Sequence, residues 1–78
     1  MAGYWQQMTK IVYDTEADTL TITLREARIR DSDEVRPGVI ADFGFDDEIV
    51  RFEILAASKS VTQPKAMAYE VLEPAPGK

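Results

Sequence analysis

The chain predicts an α+β fold: an antiparallel four-stranded β-meander with a short C-terminal helix and, as an option, an extra C-terminal strand. Three observations lead there. Residues 19–25 alternate without a fault, Leu20, Ile22 and Leu24 against Thr21, Thr23 and Arg25, the period of a strand with one buried face. Residues 50–54 do the same, Val50, Phe52 and Ile54 against Arg51 and Glu53. A polar break at 14–18 and the pair Pro37-Gly38 punctuate the apolar runs at hairpin spacing.

The elements follow in order. Residues 1–8, which hold the only Trp, show no period and read as an N-terminal arm or a short extension of the first strand. Residues 9–13 are rich in β-branched and aromatic side chains, with Ile11 and Tyr13 on one parity, and form the first strand. Asp14-Thr15-Glu16-Ala17-Asp18 is a turn in which Asp14 and Asp18 can accept hydrogen bonds from the turn backbone. The second strand covers 19–25. Residues 26–33 are charged, with Ile29 as the one large apolar residue, and read as an exposed connection or a twisted continuation of that strand. Pro37 cannot donate to a ladder and Gly38 tolerates positive φ, so the pair marks a bend or bulge where the next strand begins. Val39, Ala41 and Phe43 give the third strand, 44–48 a turn, and 50–54 the fourth. Leu55-Ala56-Ala57-Ser58-Lys59-Ser60-Val61 suits one or two helical turns ending before Pro64. Met67, Tyr69 and Val71 share a parity, so 66–72 reads as an added strand or a short helix, and 73–78 as a disordered tail. The domain is therefore placed at 9–72, with an apolar face of Leu20, Ile22, Leu24, Val39, Phe43, Val50, Phe52 and Ile54.

Composition narrows the function classes. A chain of 78 residues buries only about 60–65% of its unfolded surface and supplies roughly 3–5 kcal/mol of net stability from its core. With no Cys and no His, neither a disulfide nor the usual zinc ligands can reinforce it. One sheet also needs a cover larger than a single short helix. A homodimer supplies one, through exchange of C-terminal segments between two copies. The balance of 14 Asp and Glu against 9 Lys and Arg argues against a nucleic-acid partner. Arg25, Arg28, Arg30 and Arg36 cluster, but Glu26, Asp31, Asp33 and Glu34 lie among them, as on a solvated mixed-charge surface. No apolar run approaches the roughly 18 residues of a membrane-spanning helix, and a soluble cytoplasmic protein is the expectation.

Three strings in order carry a resemblance. They are Lys10-Ile11-x-Tyr13-Asp14-x-Glu16-Ala17-Asp18-x-Leu20-x-Ile22, then Val35-x-Pro37-Gly38-Val39-Ile40-x-Asp42, then Ile49-Val50-x-Phe52-Glu53-Ile54-Leu55-x-Ala57-Ser58. Over residues 9–60 the chain resembles the small bacterial proteins grouped as domain of unknown function 2283. It departs from their pattern at Thr21, where an aromatic residue is common, and at Phe45-Asp46-Asp47-Glu48, which lacks the usual Asp-x-x-Gly ending. The resemblance implies an antitoxin-like role, because members look like partners of small toxin-like proteins. It supplies no catalytic residues.

The residues themselves assign no catalytic group, metal or cofactor. Asp14, Glu16 and Asp18 are the densest carboxylates, but a short exposed turn gives no reason for their pKa values to diverge. With Pro37 and Gly38 they are read as structural turn residues. Asp31-Ser32-Asp33-Glu34 and Asp46-Asp47-Glu48 lack the spacing of a calcium loop, and the glycines do not cluster into a phosphate cradle. The leading expectation is a non-enzymatic, homodimeric protein-interaction module, with a small basic protein as a further partner. The alternative is a small-ligand-binding protein or carboxylate-dependent enzyme with a site at the dimer seam, lined by Tyr13, Tyr69 or Trp5.

Overall fold

The computed structural model describes residues 9–75. The N-terminal arm expected at 1–8, with Trp5, and the last three residues of the expected tail lie outside the described residues. Five strands and one short helix form among them: β1 (Lys10–Asp14), β2 (Thr19–Thr23), β3 (Ile29–Arg36), β4 (Val39–Gly44), β5 (Ile49–Ile54) and α1 (Ala57–Ser60). All strand pairs are antiparallel, in the order β1-β2-β5-β4-β3.

The antiparallel sheet and the helical turn agree with the sequence reading, and two features correct it. The extra strand is β3, not 66–72, which has no regular structure. The order is also not a simple meander, because β2 pairs with β5 and the last strand of the chain lies at the centre. β3 escaped the pattern for a physical reason. It is an edge strand exposed along its length beyond the half-buried Ile29, so nothing imposes a hydrophobic period on it.

Side chains at the turns set the hairpin registers. Asp14 Oδ1 accepts from the N–H groups of Glu16 (3.0 Å) and Ala17 (3.2 Å), an Asx-turn between β1 and β2. Asp18 closes that turn at a φ of 52°, left-handed backbone that Asp tolerates better than most residues. The β1–β2 ladder then runs without interruption, pairing Tyr13 with Leu20 and Ile11 with Ile22. Between β3 and β4, Arg36 pairs with Val39, so Pro37 and Gly38 are the two central residues of a tight turn. Gly38 has a φ of 79°, as a type II turn led by Pro requires. Its N–H donates to Glu34 Oε2 at 2.9 Å, and its carbonyl accepts from Leu55 N at 2.8 Å. Between β4 and β5, Gly44 N donates to the Glu48 carbonyl at 2.9 Å, and Asp46 Oδ1 accepts from Glu48 N at 3.1 Å.

The helix begins on strained backbone. Ala56 precedes α1 at a φ of 50°, where an L-residue with a Cβ costs roughly 1–2 kcal/mol. Ala56→Gly relieves that cost and gives back about 0.4–1 kcal/mol through the freer unfolded chain. The expected result is a gain of about 0.5 kcal/mol, read as a higher urea midpoint with an unchanged slope.

Register assigns the faces. Tyr13, Leu20, Ile54 and Val39 form one cross-strand row, and Ile11, Ile22, Phe52 and Ala41 the next on the same side. Val50 is skipped by the β4–β5 pairing at a bulge. Leu20, Ala41, Val50 and Ala57 are the buried apolar residues. Ile22, Val39, Phe43, Phe52 and Ile54 are only half-buried, and Leu24 is 43% exposed. The apolar face is present and incompletely covered.

Candidate functional site

The turn residues singled out from sequence stand apart from one another in role. Asp18 is a hub. Tyr13 Oη donates to its Oδ1 at 2.6 Å, Ser58 N to the same oxygen at 3.0 Å, and Ser58 Oγ to Oδ2 at 2.7 Å. The Asp18 carbonyl also accepts from Ala57 N at 2.8 Å. One residue thus ties β1, the first turn and the start of α1 together. The hydrogen bond from Tyr13, followed by those from Ser58, holds the Asp18 carboxyl below the usual range; the same bond, then burial, pushes the Tyr13 phenol up. Asp14 closes its own turn, while Glu16 is exposed and supplies only its backbone N–H.

A second cluster lies on the polar side of the sheet, outside the candidate sites read from the sequence, although Asp42 and Glu53 stand in the strings that carry the family resemblance. Asp42, in β4, is 1% exposed. Its Oδ1 accepts from Ser32 Oγ of β3 at 2.5 Å, and its Oδ2 from Arg51 Nε of β5 at 2.7 Å. Glu53, two residues along β5, lies 3.5 Å from Arg51 NH2 and stands close enough to the Asp42 carboxylate to share a proton with it. Burial pushes the Asp42 carboxyl up, but the hydrogen bonds from Glu53, Ser32 and Arg51 outweigh it and leave it lowered. The bond to Asp42, with burial and the Asp42 charge, raises Glu53, so of the two carboxyls Glu53 holds its proton to higher pH. Divergent carboxylates of this kind are what acid–base chemistry uses. Here both Asp42 oxygens are engaged by neighbouring strands. A shallow depression of about 440 Å³ beside β3 is lined by Arg30, Asp31, Ser32, Asp33, Phe43 and Asp47, and by none of Asp42, Arg51 and Glu53.

Three arginines of the middle segment reach the turn between β4 and β5. Arg25 reaches Asp46 at 2.9 Å and the Glu48 carbonyl at 3.3 Å. Arg30 pairs with Asp47, and Arg28 lies over the Phe45 ring at 5.4 Å. All these side chains are substantially exposed, so water and salt screen the pairs and they add little to stability. Among the described residues no group of three or more acidic, Cys or His side chains could hold a metal ion. No helix there is long and apolar enough to cross a membrane.

Part of the remaining surface is apolar. Ile11, Val12 and Leu24 are exposed on or beside the first hairpin, and Met67, Tyr69, Val71 and Leu72 in the C-terminal segment; Tyr69 is 93% exposed and Leu72 86%. Single exposed apolar residues are ordinary; here Met67, Tyr69 and Val71 stand exposed at alternate positions of one segment. Tyr69 is not among the residues lining the depression beside β3, and the Tyr13 hydroxyl is engaged by Asp18.

These features define a small antiparallel-sheet protein whose polar side chains fasten strands to one another while part of its apolar face stays open. Residues 10–58 match the family described as "Protein of unknown function (DUF2283)", and the chain belongs to it. No curated protein and no solved structure gives a significant match.

Proposed function

We propose that this protein is a non-enzymatic interaction module that works as a homodimer. The observation that carries the reading is the half-covered apolar face, where Leu24 is 43% exposed and Ile11 51%, in a chain that also leaves the alternating residues of 66–72 in solvent. In so small a domain, that uncovered apolar area is a large part of what can be gained on association, at about 25 cal/mol per Å². A net charge of −5 favours a small basic protein as a further partner, in the antitoxin-like role that the family resemblance suggests. A cytoplasmic setting accords with a chain without cysteine. The alternative, a carboxylate-dependent or ligand-binding site at the dimer seam, has the divergent Asp42–Glu53 pair in its favour. It ranks second because both Asp42 oxygens already serve the sheet.

Native mass spectrometry of the intact chain beside one lacking residues 62–78 tests the proposal. A dimeric intact chain and a folded, monomeric shortened one are expected. A shortened chain that stays dimeric would remove the C-terminal segment from the interface, and a monomeric intact chain would overturn the proposal.

A further inference from the structure

We propose that the C-terminal segment of a second copy lies across the apolar face of the sheet with Lys65 at the acidic β3 end, an inference that rests on the homodimer reading and specifies its contact. The ladder registers define the track. Ile11, Ile22, Phe52, Ala41 and Asp33 stand opposite one another in turn, so one side-chain row crosses all five strands on the apolar side. It runs from Ile11, 51% exposed, over the half-buried Ile22 and Phe52, dips at the small Ala41 and ends on the exposed Asp33. Ser32 holds Asp42 on the polar side, so alternation sets Asp31 and Asp33 on the apolar side, next to Phe43 and Ala41. Asp31, Asp33 and Phe43 line the depression of about 440 Å³ beside β3. Arg30 there is paired with Asp47 and lies 3.8 Å from Asp31, whereas Asp33 has no ion pair among the described residues.

The segment matches that track in length, pattern and charge. Lys65, Met67, Tyr69 and Val71 share a parity, and all four are exposed in one copy. Drawn out as an extended chain, the stretch from Lys65 to Val71 spans about 20 Å, and a row across five strands about 19 Å. Lys65 then falls at Asp33 and Met67 over Ala41, where a flexible side chain fills the dip between larger neighbours. Tyr69 covers Phe52 and Ile22, Val71 reaches Ile11, and Ala66, Ala68 and Glu70 face water. Lys65 is the one basic residue of 61–75 and has no ion pair among the described residues. Charge sets the direction, because the reverse course brings Val71 and then Glu73 to the β3 carboxylates. Each copy supplies both a face and a segment, so the contact closes on itself as a two-fold pair. It is made by side chains and draws on no backbone group of either edge strand.

Carbodiimide coupling, which joins an amine to a carboxylate only where the two touch, reads the contact in the unaltered chain. Heavy-isotope and unlabelled protein are mixed, equilibrated, coupled and digested, and the linked peptides are weighed. A link from Lys65 to Asp33 or Asp31 that joins heavy to light chain is expected. The same link within single copies only would overturn the proposal by placing the segment on its own face. Dimers in sedimentation without the link would overturn this contact and leave the homodimer reading standing, whereas monomers throughout would remove both. Charge reversal is the second measurement. Asp33→Lys and Lys65→Asp change exposed positions. Because each dimer holds two such pairs, either variant should weaken dimerisation at least about fivefold with an unchanged circular dichroism spectrum. The double variant should recover most of that loss, and one no tighter than the single variants would overturn the pairing.

Discussion

Replacing Asp42 with Ala is expected to cost about 3 kcal/mol, most of the stability available to a domain of this size. The side chain is buried and joins three strands through Ser32, Arg51 and its bond with Glu53. Truncation removes the acceptor of the Ser32 hydroxyl, which water reaches on the exposed edge strand, and removes the anion opposite Arg51. Because Arg51 is 38% exposed, water partly compensates it, which keeps the loss below that of a fully buried ion pair. Asp42→Asn keeps the shape and one acceptor, and should cost about 1–2 kcal/mol.

The pH dependence follows from two shifts of opposite sign. Asp42 is lowered in the folded state, so its contribution is present above the unfolded carboxyl value near pH 4 and is lost as pH falls through its folded value. Glu53 is raised, so it favours the folded state below about pH 4, and that contribution disappears as pH rises through its folded value. Glu53→Gln keeps a donor toward Asp42 without the second charge. It should be more stable than the parent at pH 7 and no different at pH 3; urea titrations at the two pH values check both.

Leu20→Ala should cost about 3 kcal/mol at any protein concentration. Leu20 is 3% exposed, between Tyr13 and Ile54 in the row nearest the Asp18 turn, and its loss leaves a void inside one copy. Leu24, four residues on and 43% exposed, has the same parity beside Val50, to whose carbonyl its N–H donates at 2.8 Å. In a lone copy Leu24→Ala should cost less than about 1 kcal/mol. In a dimer that covers this face, the loss should grow with protein concentration, because association adds stability by mass action. Thermal midpoints over a hundredfold concentration range, a span chosen so that the logarithmic term amounts to about 2.7 kcal/mol, separate the two variants.

What could be read from the sequence was what burial imposes. The β1–β2 hairpin, β4, β5 and the helical turn each carry an apolar period or a turn signature, because one side of each packs against something. β3 carries none, being held by its hairpin with β4 and by side chains such as Ser32 reaching across the ladder. The same limit hid the Asp42 cluster. Residues 32, 42, 51 and 53 come together only through the pairings β3–β4 and β4–β5, and alternation alone marks Asp42, Arg51 and Glu53 as an ordinary polar face. The apparent strand at 66–72 shows the converse, an alternating pattern with no partner strand among the described residues of one copy.

Sedimentation equilibrium of the intact chain decides whether the open face and the segment at 66–72 form a contact between copies. A mass of twice the 8.8 kDa chain, dissociating only on dilution, is expected. A single species at the chain mass at every concentration would contradict it.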